Sequence, residues 1–67
     1  MEKVDLRVQR TKKVLKDNFK DMLLNMNYER ITIKDLCEKS MINRRTFYLH
    51  YDSIDDIMAE ILEEMSL

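Results

Sequence analysis

Not one of the 67 residues is a glycine or a proline. Tight β-hairpins draw on glycine for positive φ, and many other turns draw on proline for a preset φ. A chain with neither is poorly equipped to reverse direction every few residues, as a sheet requires. Helices joined by short connections need neither, because Ser, Thr, Asn and Asp can cap their ends. The charged residues, 37% of the chain, are interspersed with Leu and Met, which are good helix formers. The expected fold is all-α, a single small domain near the lower limit at which one apolar core holds itself together. A large catalytic cleft is not expected at this size.

Apolar spacing divides the chain into helices. From Thr11, residues Val14, Leu15, Phe19, Met22, Leu23 and Met26 recur at helical intervals, with Lys12, Lys13, Lys16 and Lys20 on the remaining face. Residues 1–10, where Val4, Leu6 and Val8 alternate among mixed charges, read as a flexible arm leading into this helix. Asn27 is expected to end it in the left-handed conformation. Thr32, followed three residues later by Asp35, has the form of a helix start, and a second helix over about 33–39 buries Ile33, Leu36 and Cys37. Asn43 caps a third helix, from Arg44 to about His50, whose apolar stripe is Ile42, Phe47 and Tyr51. Ser53, with Asp55 and Asp56 behind it, opens a fourth helix from about 54 to the end. Its apolar face is Ile54, Ile57, Met58, Ile61, Leu62 and Met65.

Several function classes fall away. No run spans a bilayer, and the charged amino terminus lacks the apolar core of a signal peptide, so a cytoplasmic protein with no membrane partner is expected. Cys37 has no second cysteine to pair with and reads as a small buried hydrophobe. Together with the single histidine, His50, it does not make a metal site. There is no Ser/His/Asp set, glycine-rich phosphate loop or convergent carboxylate pair, so neither an enzyme nor a cofactor is expected.

The net charge of −1 conceals an asymmetry: residues 1–50 hold all 12 Lys and Arg against 7 acids, while residues 51–67 hold 6 acids and no base. An anionic polymer suits the first segment and not the second. Within the basic segment, the second helix, a short connection and the third helix have the dimensions of a helix-turn-helix, whose second helix enters the major groove of double-stranded DNA. The outer face of the third helix offers Asn43, Arg44, Arg45, Thr46, Tyr48 and His50, donor-rich side chains suited to phosphates and base edges. Thr32 and Lys34, at the start of the second helix, suit a further phosphate contact. Singly, each residue has a plainer reading as a cap, a packing group or a solvated charge; jointly, they favour DNA.

Residues 11–58, and above all "ITIKDLCEKSMINRRTFYLHYDSIDDIM", resemble the amino-terminal DNA-binding domain of the tetracycline-repressor (TetR) family of bacterial transcription regulators. The segment Ile31 to Cys37 is similar to the family's second-helix pattern, and Thr46-Phe47-Tyr48-x-His50-Tyr51 to its recognition-helix pattern. By position, the resemblance implies phosphate contacts from Thr32, Tyr48 and His50 and base-facing roles for Asn43, Arg44 and Arg45. Three positions depart from the pattern. Met41 stands where the family usually has a turn glycine, Arg45 replaces a commonly small residue, and Ile54 replaces a phosphate-contacting lysine.

Family members are considerably longer, with a carboxy-terminal domain that dimerises and binds a small-molecule effector. The expected organisation is therefore an arm over 1–10, a helix-turn-helix domain over 11–53, and a fourth helix over 54–67 leading toward a domain this chain lacks. The expected function is sequence-specific DNA binding in a repressor. Homodimerisation is expected through that further domain or the fourth helix, with no effector bound by the fragment. The competing reading is a small helical interaction module that docks on a protein through the fourth helix, its basic face incidental.

Overall fold

The computed structural model describes residues 5–66, and all regular structure among them is helical. Four α-helices follow one another: α1 (Leu6–Asn25), α2 (Ile33–Ser40), α3 (Arg44–His50) and α4 (Ile54–Met65), with a single 3₁₀ turn (Tyr28–Arg30) between α1 and α2. No helix among the described residues is long and apolar enough to cross a membrane.

The caps explain most of these boundaries. The Thr32 hydroxyl accepts the Asp35 amide at 3.0 Å, and the Asn43 side-chain oxygen accepts the Arg45 amide at 2.7 Å. Ser53 accepts the Asp56 amide at 3.3 Å, and the Asp56 carboxylate in return accepts the Asp52 amide at 2.8 Å. The Asp35, Arg45 and Asp56 amides belong to first helical turns, which leave them unpaired, and the Asp52 bond secures the residue just ahead of the α4 cap.

Two boundaries differ from the sequence reading. The first helix begins at Leu6 rather than Thr11, because Asp5 is its N-cap and accepts the Arg7 amide at 2.9 Å. Residues 5–10 of the expected arm are therefore a cap and the first turns of a helix, while residues 1–4 lie outside the described residues. Asn27 is not left-handed: it sits at φ −69°, ψ 143°, after Met26 has already ended α1 in an extended conformation. The chain then turns through Tyr28, whose ring packs edge-on to Phe19 at 6.1 Å and whose hydroxyl donates to the Asp55 carboxylate. That hydrogen bond, helped by burial, pushes the Tyr28 hydroxyl up to about 12.

One residue does adopt the left-handed conformation. Met41 lies at φ 57°, ψ 41°. Its amide reaches Glu38 O at 3.2 Å and the Ile42 amide reaches Cys37 O at 2.9 Å, the paired bonds of a Schellman helix end. Ile42 is thereby folded back onto the core, while the Met41 side chain is 93% exposed. A methionine here bears the Cβ clash that glycine lacks. Met41→Gly is expected to stabilise the domain by about 1 kcal/mol, read as a higher denaturant midpoint. An unchanged or lower midpoint would show that the turn carries no such strain.

The core joins all four helices. Leu15, Phe19 and Met22 of α1 meet Leu36 and Cys37 of α2, Phe47 of α3, and Ile57 and Ile61 of α4, with Ile31 and Tyr51 from the connections. Val14, Leu23, Met26, Ile33, Ile54 and Met58 are half-buried. The outer end of α4 departs from the expected stripe: Leu62 and Met65 are 54% and 72% exposed.

Charge ties α4 to α1. The Glu60 carboxylate accepts the Tyr51 hydroxyl and lies 2.9 Å from the Lys12 ammonium and 3.5 Å from that of Lys16, which also binds Glu64. Burial works against the charge on Glu60, but the Tyr51 hydroxyl and the two ammonium groups prevail and hold it below its usual 4.5. A depressed carboxylate contributes stability above its unfolded value and loses it as pH falls through the folded one. The difference in Tm between wild type and Glu60→Gln should thus be full near neutral pH and shrink below 4.5. A difference that persists unchanged into acid would exclude the charge as its source.

Candidate nucleic-acid interface

A helix of seven residues leaves little choice about which side faces outward. With Phe47 of α3 fully buried, residues two positions away on either side lie about 160° from it, and those three away lie about 60° from it. Arg45 and Leu49 therefore form the ridge farthest from the core, Arg44 and His50 lie low on opposite flanks, and Thr46 and Tyr48 occupy the shoulders. Exposure adds a second distinction: Arg44, Arg45, Tyr48 and Leu49 are exposed, while Thr46 and His50, on the opposite side from Arg44 and Tyr48, are half-buried.

The two flanks meet different neighbours. Arg44 lines an open cleft of about 570 Å³ between α2 and α3, with Lys34, Glu38 and Asn43. Thr46, Leu49 and His50 line a smaller cleft, about 330 Å³, against Arg7, Val8 and Thr11 of α1. Thr46 and His50 thus stand beside the first turns of α1 rather than on the open face. That neighbourhood was hidden in the sequence because residues 1–10 read as an arm; Asp5, a capping residue just before Leu6, was the signal for it.

The caps set what each polar group has left to offer. Thr32 uses an oxygen lone pair on the Asp35 amide, which leaves its hydroxyl proton available to a phosphate. Asn43 uses one lone pair of its side-chain oxygen on the Arg45 amide, which holds the side chain at the cap and leaves both NH₂ protons free to donate. Tyr48 is held on edge against Phe47 at 5.5 Å, which orients its exposed hydroxyl. Tyr51 ends α3 with its amide on Phe47 O at 3.0 Å and its ring 5.5 Å from that of Phe47. Cys37 is buried beneath this surface, and burial pushes its thiol up, so it remains an uncharged packing group.

Pairing decides which positive charges remain open. Lys12 and Lys16 are paired with Glu60 and Glu64, Lys13 with Asp17, and Lys39 with Asp21. Among the described residues, no ion pair engages Lys34, Arg44 or Arg45. Acids of α4 thus match Lys12 and Lys16 of α1, whereas the α2–α3 face keeps three cations that no such pair engages. Among those residues, no cluster of His, Cys, Asp or Glu is arranged to hold a metal ion.

Comparison with known proteins finds similarity to part of two transcriptional regulators. It is 38% identical over 61 residues to YxbF of Bacillus subtilis (strain 168), described as an uncharacterized HTH-type transcriptional regulator. It is 28% identical over 53 residues to DhaS of Lactococcus lactis subsp. lactis (strain IL1403), the HTH-type transcriptional activator of the dhaKLM operon. These matches take in 90% and 79% of this chain but only 16% and 28% of the two relatives. No protein-family model matches the chain, and no solved structure does.

Proposed function

We propose that this chain is the sequence-specific DNA-binding domain of a cytoplasmic bacterial transcription regulator of the TetR family, acting as a repressor. Helix α3 enters the major groove of double-stranded DNA. Arg45, with Arg44 on its flank, reads base edges; Asn43 donates from its side-chain NH₂; Thr46 contacts the groove wall. Thr32, Lys34, Tyr48 and His50 hold the phosphate backbone. The observation that carries this reading is the group of unpaired cations, Lys34, Arg44 and Arg45, on the exposed side of a helix-turn-helix.

The relatives' names support a regulator with a helix-turn-helix, and their greater length supports a domain organisation in which α4 leads into a further domain that dimerises and binds an effector. In that arrangement two recognition helices sit about one DNA turn apart, roughly 34–36 Å. Residues 1–67 assayed without such a tether are expected to bind DNA only in the range of about 10⁻⁴ to 10⁻⁶ M. Because DhaS is named an activator, transcription from a bound promoter in vitro is the test of the repressor role. Reduced output supports it, and raised output overturns it.

The second reading, docking of α4 on a protein, is favoured only by the exposure of Leu62 and Met65. Salt separates the two. Cations that displace condensed counterions should make duplex binding fall at least about tenfold between roughly 50 and 200 mM salt. Fluorescence anisotropy of a labelled duplex measures this directly. Salt-independent binding, or none, would sink the DNA reading, whereas apolar docking through α4 predicts association that salt does not weaken.

A further inference from the structure

We infer that Leu49 reads the C5-methyl group of a thymine, and that the preferred DNA site carries this thymine within about two base steps of the base read by Arg45. The inference rests on α3 occupying the major groove, as proposed above. Leu49 is 75% exposed and lies outside the apolar cluster that holds the fold together. It shares the outermost ridge of α3 with Arg45, four positions away, so the two side chains project together into whatever α3 meets.

The chemistry of the groove selects the occupant. Every other exposed side chain of α3, Arg44, Arg45 and Tyr48, is a hydrogen-bond donor, suited to acceptors such as guanine N7 and O6 or phosphate oxygens. Leucine offers none, and the major-groove edge of DNA has one apolar feature, the thymine methyl. A nonpolar side chain on the ridge is matched by that group and left facing unsatisfied polar edges by any other base. Four helical residues span about 6 Å, close to two base steps of about 3.4 Å each, which sets the spacing from the Arg45 contact. Thr46, in the same cleft as Leu49, adds a second methyl on the side facing α1.

The test uses the 67-residue chain and its Leu49→Ala variant. Because the side chain is exposed and outside the core, the variant should keep the wild-type helical circular dichroism. Each protein selects duplexes from a randomised pool at low salt, and the enriched thymine is then replaced by deoxyuridine, which lacks only the methyl. Wild type should lose about three- to fivefold in affinity, the worth of one buried methyl, while Leu49→Ala should bind both duplexes equally and enrich no thymine at that position. The salt dependence should be the same for both proteins. If wild type tolerates uracil, or Leu49→Ala still demands thymine, the assignment of Leu49 is overturned while DNA binding stands. If wild type enriches no sequence, the reading of α3 as a recognition helix fails with it.

Discussion

Phe47→Ala is expected to leave most of the molecules unfolded. The ring is fully buried, meets Tyr48 and Tyr51 at 5.5 Å, and belongs to the one cluster that joins all four helices. Truncating such a phenylalanine costs about 3–5 kcal/mol, part transfer energy and part cavity. A domain of this length has only about 3–10 kcal/mol in total. The loss should appear as a collapse of the cooperative thermal transition followed by circular dichroism. A variant that melts within a few degrees of wild type would mean that α3 does not dock through Phe47, and the outward ridge assigned to Arg45 and Leu49 would have to be redrawn.

Substitutions on the outer face should leave folding alone and divide by their effect on DNA. Arg45→Ala is expected to weaken binding to the selected sequence by about 1–3 kcal/mol and to relax preference at one base position, the signature of a lost base contact. Arg44→Ala should do the same to a smaller degree, because Arg44 lies lower on the α2 flank. Tyr48→Phe removes only a hydroxyl from an exposed ring propped on Phe47, and it should weaken all duplexes alike. Competition binding with matched and scrambled duplexes checks all three. Uniform weakening by both arginine variants would reduce them to backbone contacts and leave sequence preference without a source.

The limits of α2, α3 and α4 were legible because their caps are local: Thr32, Asn43 and Ser53 each sit beside the amide they satisfy, and sequence distance alone reveals them. The turn at Met41 was marked on other grounds, by the resembled family's glycine there, which left open whether Met41 would turn left-handed, as it does, or the turn would differ. What escaped the sequence depends on contacts between distant residues. Asn27 is extended, not left-handed, in a connection where Tyr28 is anchored to Phe19 and Asp55. The start of α1 was masked because the alternation of Val4, Leu6 and Val8 competed with the cap at Asp5. Leu62 and Met65 continue the spacing of a buried stripe, yet they lie beyond Ile61, the last core residue of α4.

The candidate site divides in the same way. Its donors could be named from the order of residues in α3, but their ranking needed the direction of Phe47, which separates Arg45 from Arg44 and brings Leu49 onto the ridge. The pairing of α1 lysines with α4 acids was likewise invisible as anything more than a charge asymmetry. The partners Lys12 and Glu60 are 48 residues apart. Only folding shows that Lys12 and Lys16 are matched by acids of α4, while Lys34, Arg44 and Arg45 are engaged by no ion pair among the described residues.

The central claim, that the exposed side of α2 and α3 is where this chain meets DNA, is tested most directly by amide chemical shifts. A ¹⁵N-labelled sample titrated with a duplex at low salt should show its largest changes at residues 32–34 and 43–50, with the exposed end of α4 around Leu62 and Met65 unmoved. Changes concentrated on α4, with α3 silent, would contradict the account.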